Sequence, residues 1–368
     1  MTYVATKRGA MAAAACLAGF LATPASAQNN VTVYGLVDVA LARMNNADAA
    51  GNAVTRMPSL TGSLPSRIGF KGEEALGGGL SAVFALEGGF APDTGVSNQG
   101  GRLFGRQAWV GLKGAWGTLQ LGRMMSMTFY GTLKSDVLGP NLFSISSIDA
   151  YIPNARSDNA LAYMGNFKGW TVGASYSLGR DGSAAGGPSA TNCPGEVAGD
   201  SKACRQATGL LGYETRAFGV NATWDQMRGG RGAAGGLAGS GNTDRRVAVN
   251  GWVMLGATKL GGGVMDRSHG AITGMTESTL LYLGLSYPLA ARLTLDAQVA
   301  RKAVDDSADD TNMLVARLTY AFSPRTAVYG AVGRMDNRGQ AAIALDTGGT
   351  VAPGRAQNGL MAGMRHAF

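Results

Sequence analysis

The sequence predicts an all-β fold, an antiparallel transmembrane β-barrel of sixteen strands with long external loops. Three observations predict it. Stretches of about ten residues in which the side chains alternate with period two recur sixteen times along the chain. The connections between them are alternately tight and long, the one-sided bias of barrels that cross an outer membrane with strands of ~9–11 residues. Glycine accounts for 57 of 368 residues, while 15% are charged and the mean hydropathy is +0.03, the average expected when one face of a wall is apolar and the other polar. No run of 18 apolar residues follows the N-terminal segment, and no 12-residue stretch of 3.6 periodicity stands out, which disfavours helical membrane proteins and α/β enzymes.

Residues 1–27 have the layout of a secretory signal peptide. Lys7 and Arg8 precede an uncharged stretch from Gly9 to Ala22, and Ala25-Ser26-Ala27 makes a small-residue cleavage site before Gln28. An apolar run of ~14 residues is too short for the ~20 that a spanning helix needs. The mature chain, 28–368, is then one barrel domain outside the cytosol. Loss of Lys7 and Arg8 leaves 30 basic and 24 acidic residues, a net charge of +6. That surplus suits anionic lipids or solutes. No basic run is interleaved with aromatics, so nucleic acid is not an expected partner.

The first strand, 31–44, places Val31, Val33, Gly35, Val37, Val39 and Leu41 on one face and Thr32, Tyr34 and Asp38 on the other. The same pattern predicts strands at 64–72, 80–90, 102–113, 117–125, 157–167, 170–178 and 206–215. It continues at 219–228, 245–255, 259–268, 276–287, 292–302, 310–320, 326–336 and 356–368. Gly114-Ala115-Trp116, Lys168-Gly169 and Gly256-Ala257-Thr258 are tight turns, whereas 45–63, 126–156, 179–205, 229–244 and 337–355 are long loops. Closing such a wall on itself pairs every backbone N–H and C=O, the strand-based solution that lipid permits. The glycines then serve bends, close backbone approaches and turns with positive φ. Cys193 and Cys204, eleven positions apart in a Gly/Ser/Pro-rich segment, are expected to pair in an oxidising compartment. Metal binding is the weaker reading, because no histidine lies within 60 residues of them.

Several segments carry a resemblance in order along the chain. They are Val31-Thr-Val-Tyr-Gly-Leu-Val-Asp38, Ser66-Arg-Ile-Gly-Phe-Lys-Gly-Glu-Glu-Ala-Leu-Gly-Gly-Gly-Leu80, Phe84-Ala-Leu-Glu-Gly-Gly-Phe90, Arg106-Gln-Ala-Trp-Val-Gly-Leu112, Gly117-Thr-Leu-Gln-Leu-Gly-Arg123 and Arg365-His-Ala-Phe368. Together they resemble the trimeric general porins of β-proteobacteria, the neisserial and Burkholderia-type Gram-negative porins. The resemblance implies a sixteen-stranded barrel in the Gram-negative outer membrane, assembled as a homotrimer, with a water-filled pore in each subunit. It also implies that the third long loop, here about 126–156, folds into the lumen as the constriction. A terminal Phe is that family's signal to the outer-membrane assembly machinery, and Phe368 fits it, with Leu360, Ala362, Met364 and His366 on the same face. Met124-Met125-Ser126 departs from the family, which usually has a Gln after the Gly-Arg pair.

The expected chemistry is electrostatic selection, since cations lining a narrow pore favour anions. Arg67 and Lys71 share one face of the second strand and Ile68 and Phe70 the other, which points both cations into the lumen. Facing lipid would cost ~2–4 kcal/mol for each near the midplane. Arg106 is also expected inside, although Ala108, Val110 and Leu112 share its parity. The resemblance matches Arg67, Arg106 and Arg156 to basic pore-wall positions. Arg123 shares a face with Leu119 and Leu121 and either lines the pore or anchors the loop. Alternatively these arginines form a ladder of wall salt bridges. Asp136 and Asp149, on the expected constriction loop, are predicted to face the arginines and set a transverse field. General diffusion of small hydrophilic, preferentially anionic solutes follows, with outer-membrane lipids and lipopolysaccharide around the barrel.

Two rival readings are an outer-membrane hydrolase and an adhesin. His269, in an expected loop, and His366 stand near no nucleophile signature. The glycines at 77–79 and 229–241 match no phosphate-loop spacing, so no enzyme activity, cofactor or metal is expected. Trimer contacts are expected on the apolar outer faces of the first and last strands.

Overall fold

The period-two segments form one antiparallel sheet that closes on itself, and the computed structural model describes it over residues 30–59, 62–182 and 191–368. The expected signal peptide lies outside the described residues. In chain order the strands are β1 (Asn30–Met44), β2 (Val54–Arg56), β3 (Arg67–Gly77), β4 (Leu80–Gly89), β5 (Gln107–Gly114) and β6 (Gly117–Met125). Then come β7 (Arg156–Phe167), β8 (Trp170–Gly179), β9 (Gln206–Glu214), β10 (Phe218–Arg228), β11 (Thr243–Leu255) and β12 (Thr258–Ala271). The last are β13 (Gly274–Ala290), β14 (Leu293–Val304), β15 (Thr311–Ala321), β16 (Thr326–Asn337) and β17 (Ala356–Ala367). Four short helical turns lie in the loops: α1 (Asn98–Gly101), α2 (Met127–Thr132), α3 (Ile145–Ile148) and α4 (Tyr151–Asn154).

Sixteen of the strands make the wall; β2 is a three-residue strand that lies against the top of β1. Each wall strand pairs with its neighbours in sequence. β1 closes the ring, its first half against β3 and its second half against β17. At the seam the backbone of Phe368 both donates to and accepts from Gly35 at 3.0 Å, and its ring is half exposed on the outer face.

Alternation sorts the side chains as the sequence predicts. Along β1, Val31, Val33 and Leu41 are exposed to the outside, while Asp38, Ala40, Ala42 and Met44 are buried inside. The outer band continues through Val110, Leu121, Leu161, Leu211, Leu281, Leu314 and Leu360. Aromatic pairs such as Trp116 with Tyr163 and Trp170 with Tyr213 sit at the short-turn end, where interfacial belts are placed.

Strand boundaries moved at three places that matter. The expected second strand begins at Arg67 and not at 64, because residues 62–66 turn inward onto the buried Asp38 carboxylate. Ser63 N–H and Oγ–H, Leu64 N–H and the Tyr329 hydroxyl all donate to it, over 2.5–3.0 Å. The expected strand 102–113 begins at Gln107, which releases Arg106 from strand parity. His269, expected in a loop, belongs to β12, which runs on with β13 into a tight turn at Ile272-Thr273.

The core sits inside the barrel. Leu138, Leu142, Phe143, Ile145 and Ile148 of the loop between β6 and β7 pack on Ala42, Met44, Met313, Val315, Met335 and Met361 of the wall. A second cluster joins Met127 to Met124, Ala160, Ala162 and Leu210. At ~1.5–3 kcal/mol for each fully buried large apolar side chain, this packing holds the loop across the lumen.

Candidate pore constriction

Loop 126–156 enters the lumen through α2 and returns through α3 and α4 to Arg156, the first residue of β7. Space for it comes from glycines on the inner face of the wall. A β-carbon at Gly261 would stand 2.3 Å from the carbonyl oxygen of Ser135, and one at Gly173 would stand 2.4 Å from the sulfur of Met127. Polar anchors complete the seat. Tyr151 donates its hydroxyl to Asp225 and accepts from Gln206 Nε2 at 2.6 Å, and Thr128 donates to the same Asp225 at 2.9 Å.

Against this loop stand the wall cations. Arg106 Nε donates to Glu87 Oε1 at 2.5 Å, and Arg67 Nε lies 3.6 Å from Glu87 Oε2, which also accepts from the Tyr34 hydroxyl at 2.9 Å. Arg156 is 2% exposed and donates to Asn154 Oδ1 at 3.1 Å, while its Nε and Nη2 make no hydrogen bond. The structure therefore pairs Arg67 and Arg106 with the single carboxylate of Glu87, while Arg156 stands beside Arg106 and has no ion pair among the described residues. A cavity of about 40 Å³ separates Arg106 from the loop, which presents Pro140, Asn141, Ser146, Pro153 and Asn154 there. None of these loop side chains is charged.

Arg106 reaches this place because it precedes β5: Ala108, Val110 and Leu112 keep the outward parity, and Arg106 turns in from the loop end to bond Glu87 through backbone and side chain. Lys71 points inward as expected, below the constriction, with its ammonium 5.5 Å from the Tyr34 ring centre. Arg123 belongs elsewhere. Its Nε donates to the Gly105 carbonyl at 2.7 Å and its Nη1 pairs with Asp158, in a cluster with Arg102 and Asp181. A bulge between Gly122 and Met124 accompanies this turn of the chain, so Arg123 ties the loop at Gly105 to Asp158 of β7, beside Arg156 and outside the cavity at Arg106.

The two loop acids do not face the arginine cluster, which corrects the transverse field expected of them. Asp149 pairs with Arg246 of β11 at 2.9 Å, next to the Asp244–Arg267 pair. Burial raises its proton affinity, but Arg246 and Arg267 outweigh that and hold it below the ordinary carboxylate range. Asp136 accepts from Gln298 Nε2 of β14 at 2.8 Å, and burial pushes it up to about 6 against that hydrogen bond. Both acids tie the loop to the far wall, away from the arginines.

Sequence reading passed over Glu87. Its signal was present: a lone acid between Ala85 and Gly89, in an apolar strand, has to face the lumen. It also passed over Arg246, Arg267 and Arg317, which share the inner face with Asp244 and Asp296. Cys193 and Cys204 are joined as a disulfide. The bond lies within the external loop between β8 and β9, with Cys193 N–H donating to the Asp181 carbonyl and Cys204 N–H to the Gly229 carbonyl of the next external loop.

Comparison with known proteins gives a consistent picture. The family model described as Gram-negative porin matches residues 11–340. Outer membrane porin protein 32 of Delftia acidovorans is 30% identical over 363 residues, covering 94% of this chain and 95% of that protein. The major outer membrane protein P.IB of Neisseria meningitidis serogroup A is 33% identical over 146 residues, 38% of this chain and 43% of that protein. Among solved structures, the anion-selective porin from Comamonas acidovorans superposes with a TM-score of 0.77 at 24% identity, covering 93% of this chain and all of that one. A trimer form of OmpT from Vibrio cholerae gives 0.65 at 15% identity, over 92% and 99% of the two chains.

Proposed function

The chain belongs to the Gram-negative porin family, and from that premise we propose an outer-membrane general diffusion pore with a preference for small anions, set by Arg67, Arg106 and Arg156. One observation carries the selectivity: at the aperture Arg67 and Arg106 share the single carboxylate of Glu87, Arg156 beside them has no ion pair among the described residues, and the loop opposite offers only neutral side chains. A narrow, partly dehydrated passage amplifies that excess charge, lowering the barrier for anions and raising it for cations. The similarity to an anion-selective porin supports the same reading.

Residues 1–27 act as the export signal. Phe368, with its carboxylate end at the seam and its ring outside, is the group the assembly machinery reads. A homotrimer accords with the trimer form of a similar structure, and the apolar outer faces of β1 and β17 supply its contact surface. Lipid and lipopolysaccharide cover the rest of the outer band.

Reversal potential of the purified protein in a planar bilayer under a potassium chloride gradient tests the proposal. Channels whose reversal potential lies toward the chloride equilibrium value are expected. A potential at the potassium side, or no channels, would overturn it.

A further inference from the structure

An open recess in the lumen lies below α2, at the end of the barrel that carries the short turns. It measures about 340 Å³, within the range of small-ligand sites. Its roof is loop chemistry: Tyr130, Leu133 and Lys134. Its wall includes Trp252 of β11 and Glu214 of β9. Leu133 is 46% exposed although it sits inside the barrel, so the recess offers apolar surface to water that nothing in the fold covers.

The charges next to this surface are unequal. Lys134 Nζ donates to both oxygens of Glu214 at 2.6 Å, which satisfies that carboxylate. Lys259 of β12 stands beside the recess and not in its lining, with its ammonium 5.5 Å from the ring centre of Trp252, and among the described residues it has no ion-pair partner. Besides Lys134 and Glu214 it feels the carboxylates of Asp136 and Asp296, which lie outside the recess, the latter paired with Arg317. Two ammonium groups and one carboxylate leave one positive charge beside an indole and a phenol ring. A guest with one carboxylate and one flat apolar ring complements all of this: the ring stacks on Trp252 and covers Leu133, and the carboxylate meets Lys259.

We propose that this recess is a binding station for single-ring aromatic carboxylates on the short-turn side of the pore. It rests on the pore reading above and names a solute class for it. A station on a transport route has to release its guest, so binding in the millimolar range is expected.

The test is block of chloride current by benzoate added to one side of a bilayer holding oriented wild-type channels. Benzoate on the short-turn side is expected to reduce the current with half-block at about 1–10 mM, and at least about tenfold more weakly from the loop side. Cyclohexanecarboxylate, of equal charge but without a π face, is expected to block more weakly, as is benzoate on Trp252→Leu. Lys259→Gln is expected to raise the half-blocking concentration at least about tenfold while the channels still conduct; Lys134→Gln serves if that variant does not fold. Anion-selective channels that benzoate leaves unblocked, or blocks equally in wild type and both lysine variants, overturn the station and leave the pore reading standing. Absence of channels overturns both.

Discussion

The carbonyl oxygen of Ser135 occupies the place that a β-carbon on Gly261 would need, 2.3 Å from it. A glycine on β12 thereby fixes how far the constriction loop can lie back against the wall. Gly261→Val is expected to push the loop toward the aperture and lower single-channel conductance, with the barrel still assembled. Conductance equal to wild type in an assembled variant would show that the loop does not depend on that seat.

Asp136 gives the loop a pH dependence. Its carboxyl is pushed up to about 6 by burial, from an ordinary value of 3.8, so the folded state favours the protonated form. Its contribution is fully present below pH ~4 and is lost as the pH rises through about 6, with a ceiling on the order of 3 kcal/mol. Protease cleavage within 126–156 is expected to be faster at pH 7.5 than at pH 5 in wild type. Asp136→Asn is expected to remove most of that difference.

Glu87 holds two guanidinium groups together and subtracts a negative charge from the aperture. Glu87→Gln is expected to increase the chloride-to-potassium permeability ratio and to destabilise the barrel by roughly 3 kcal/mol, because Arg106 is left buried without its partner. A ratio that falls, measured on channels with intact conductance, would contradict the arrangement.

The Cys193–Cys204 bond fastens an external loop and does not touch the aperture. In the double variant Cys193→Ser, Cys204→Ser, cleavage of residues 191–205 by trypsin, at Lys202 or Arg205, is expected to be at least about tenfold faster. Conductance and ion preference are expected to stay within error of wild type.

Period two made the wall legible, because Val31, Val33 and Val37 alternate with Thr32, Tyr34 and Asp38 in β1, and Ile68 and Phe70 with Arg67 and Lys71 in β3. Arg67 and Lys71 could be pointed inward on that ground alone. Arg106 could not, since its direction depends on β5 starting at Gln107, the residue after it, and releasing it from the parity of Ala108. The partners of Asp136 and Asp149 were equally hidden. Gln298 and Arg246 come to them from about a hundred or more residues away, and no local pattern registers such a contact. The glycines were legible as abundant but not as a mould: Gly261 and Gly173 have meaning only once Ser135 and Met127 are in the lumen.

The central claim is that Arg67, Arg106 and Arg156 set the ion preference while the loop opposite contributes no charge. The chloride-to-potassium permeability ratio of the variant carrying Arg67→Gln, Arg106→Gln and Arg156→Gln, read from reversal potentials under a potassium chloride gradient, tests it most directly. With Glu87 left as the charge at the aperture, the ratio is expected to fall from above one to one or below. A ratio equal to that of the wild type, in channels of normal conductance, would contradict it.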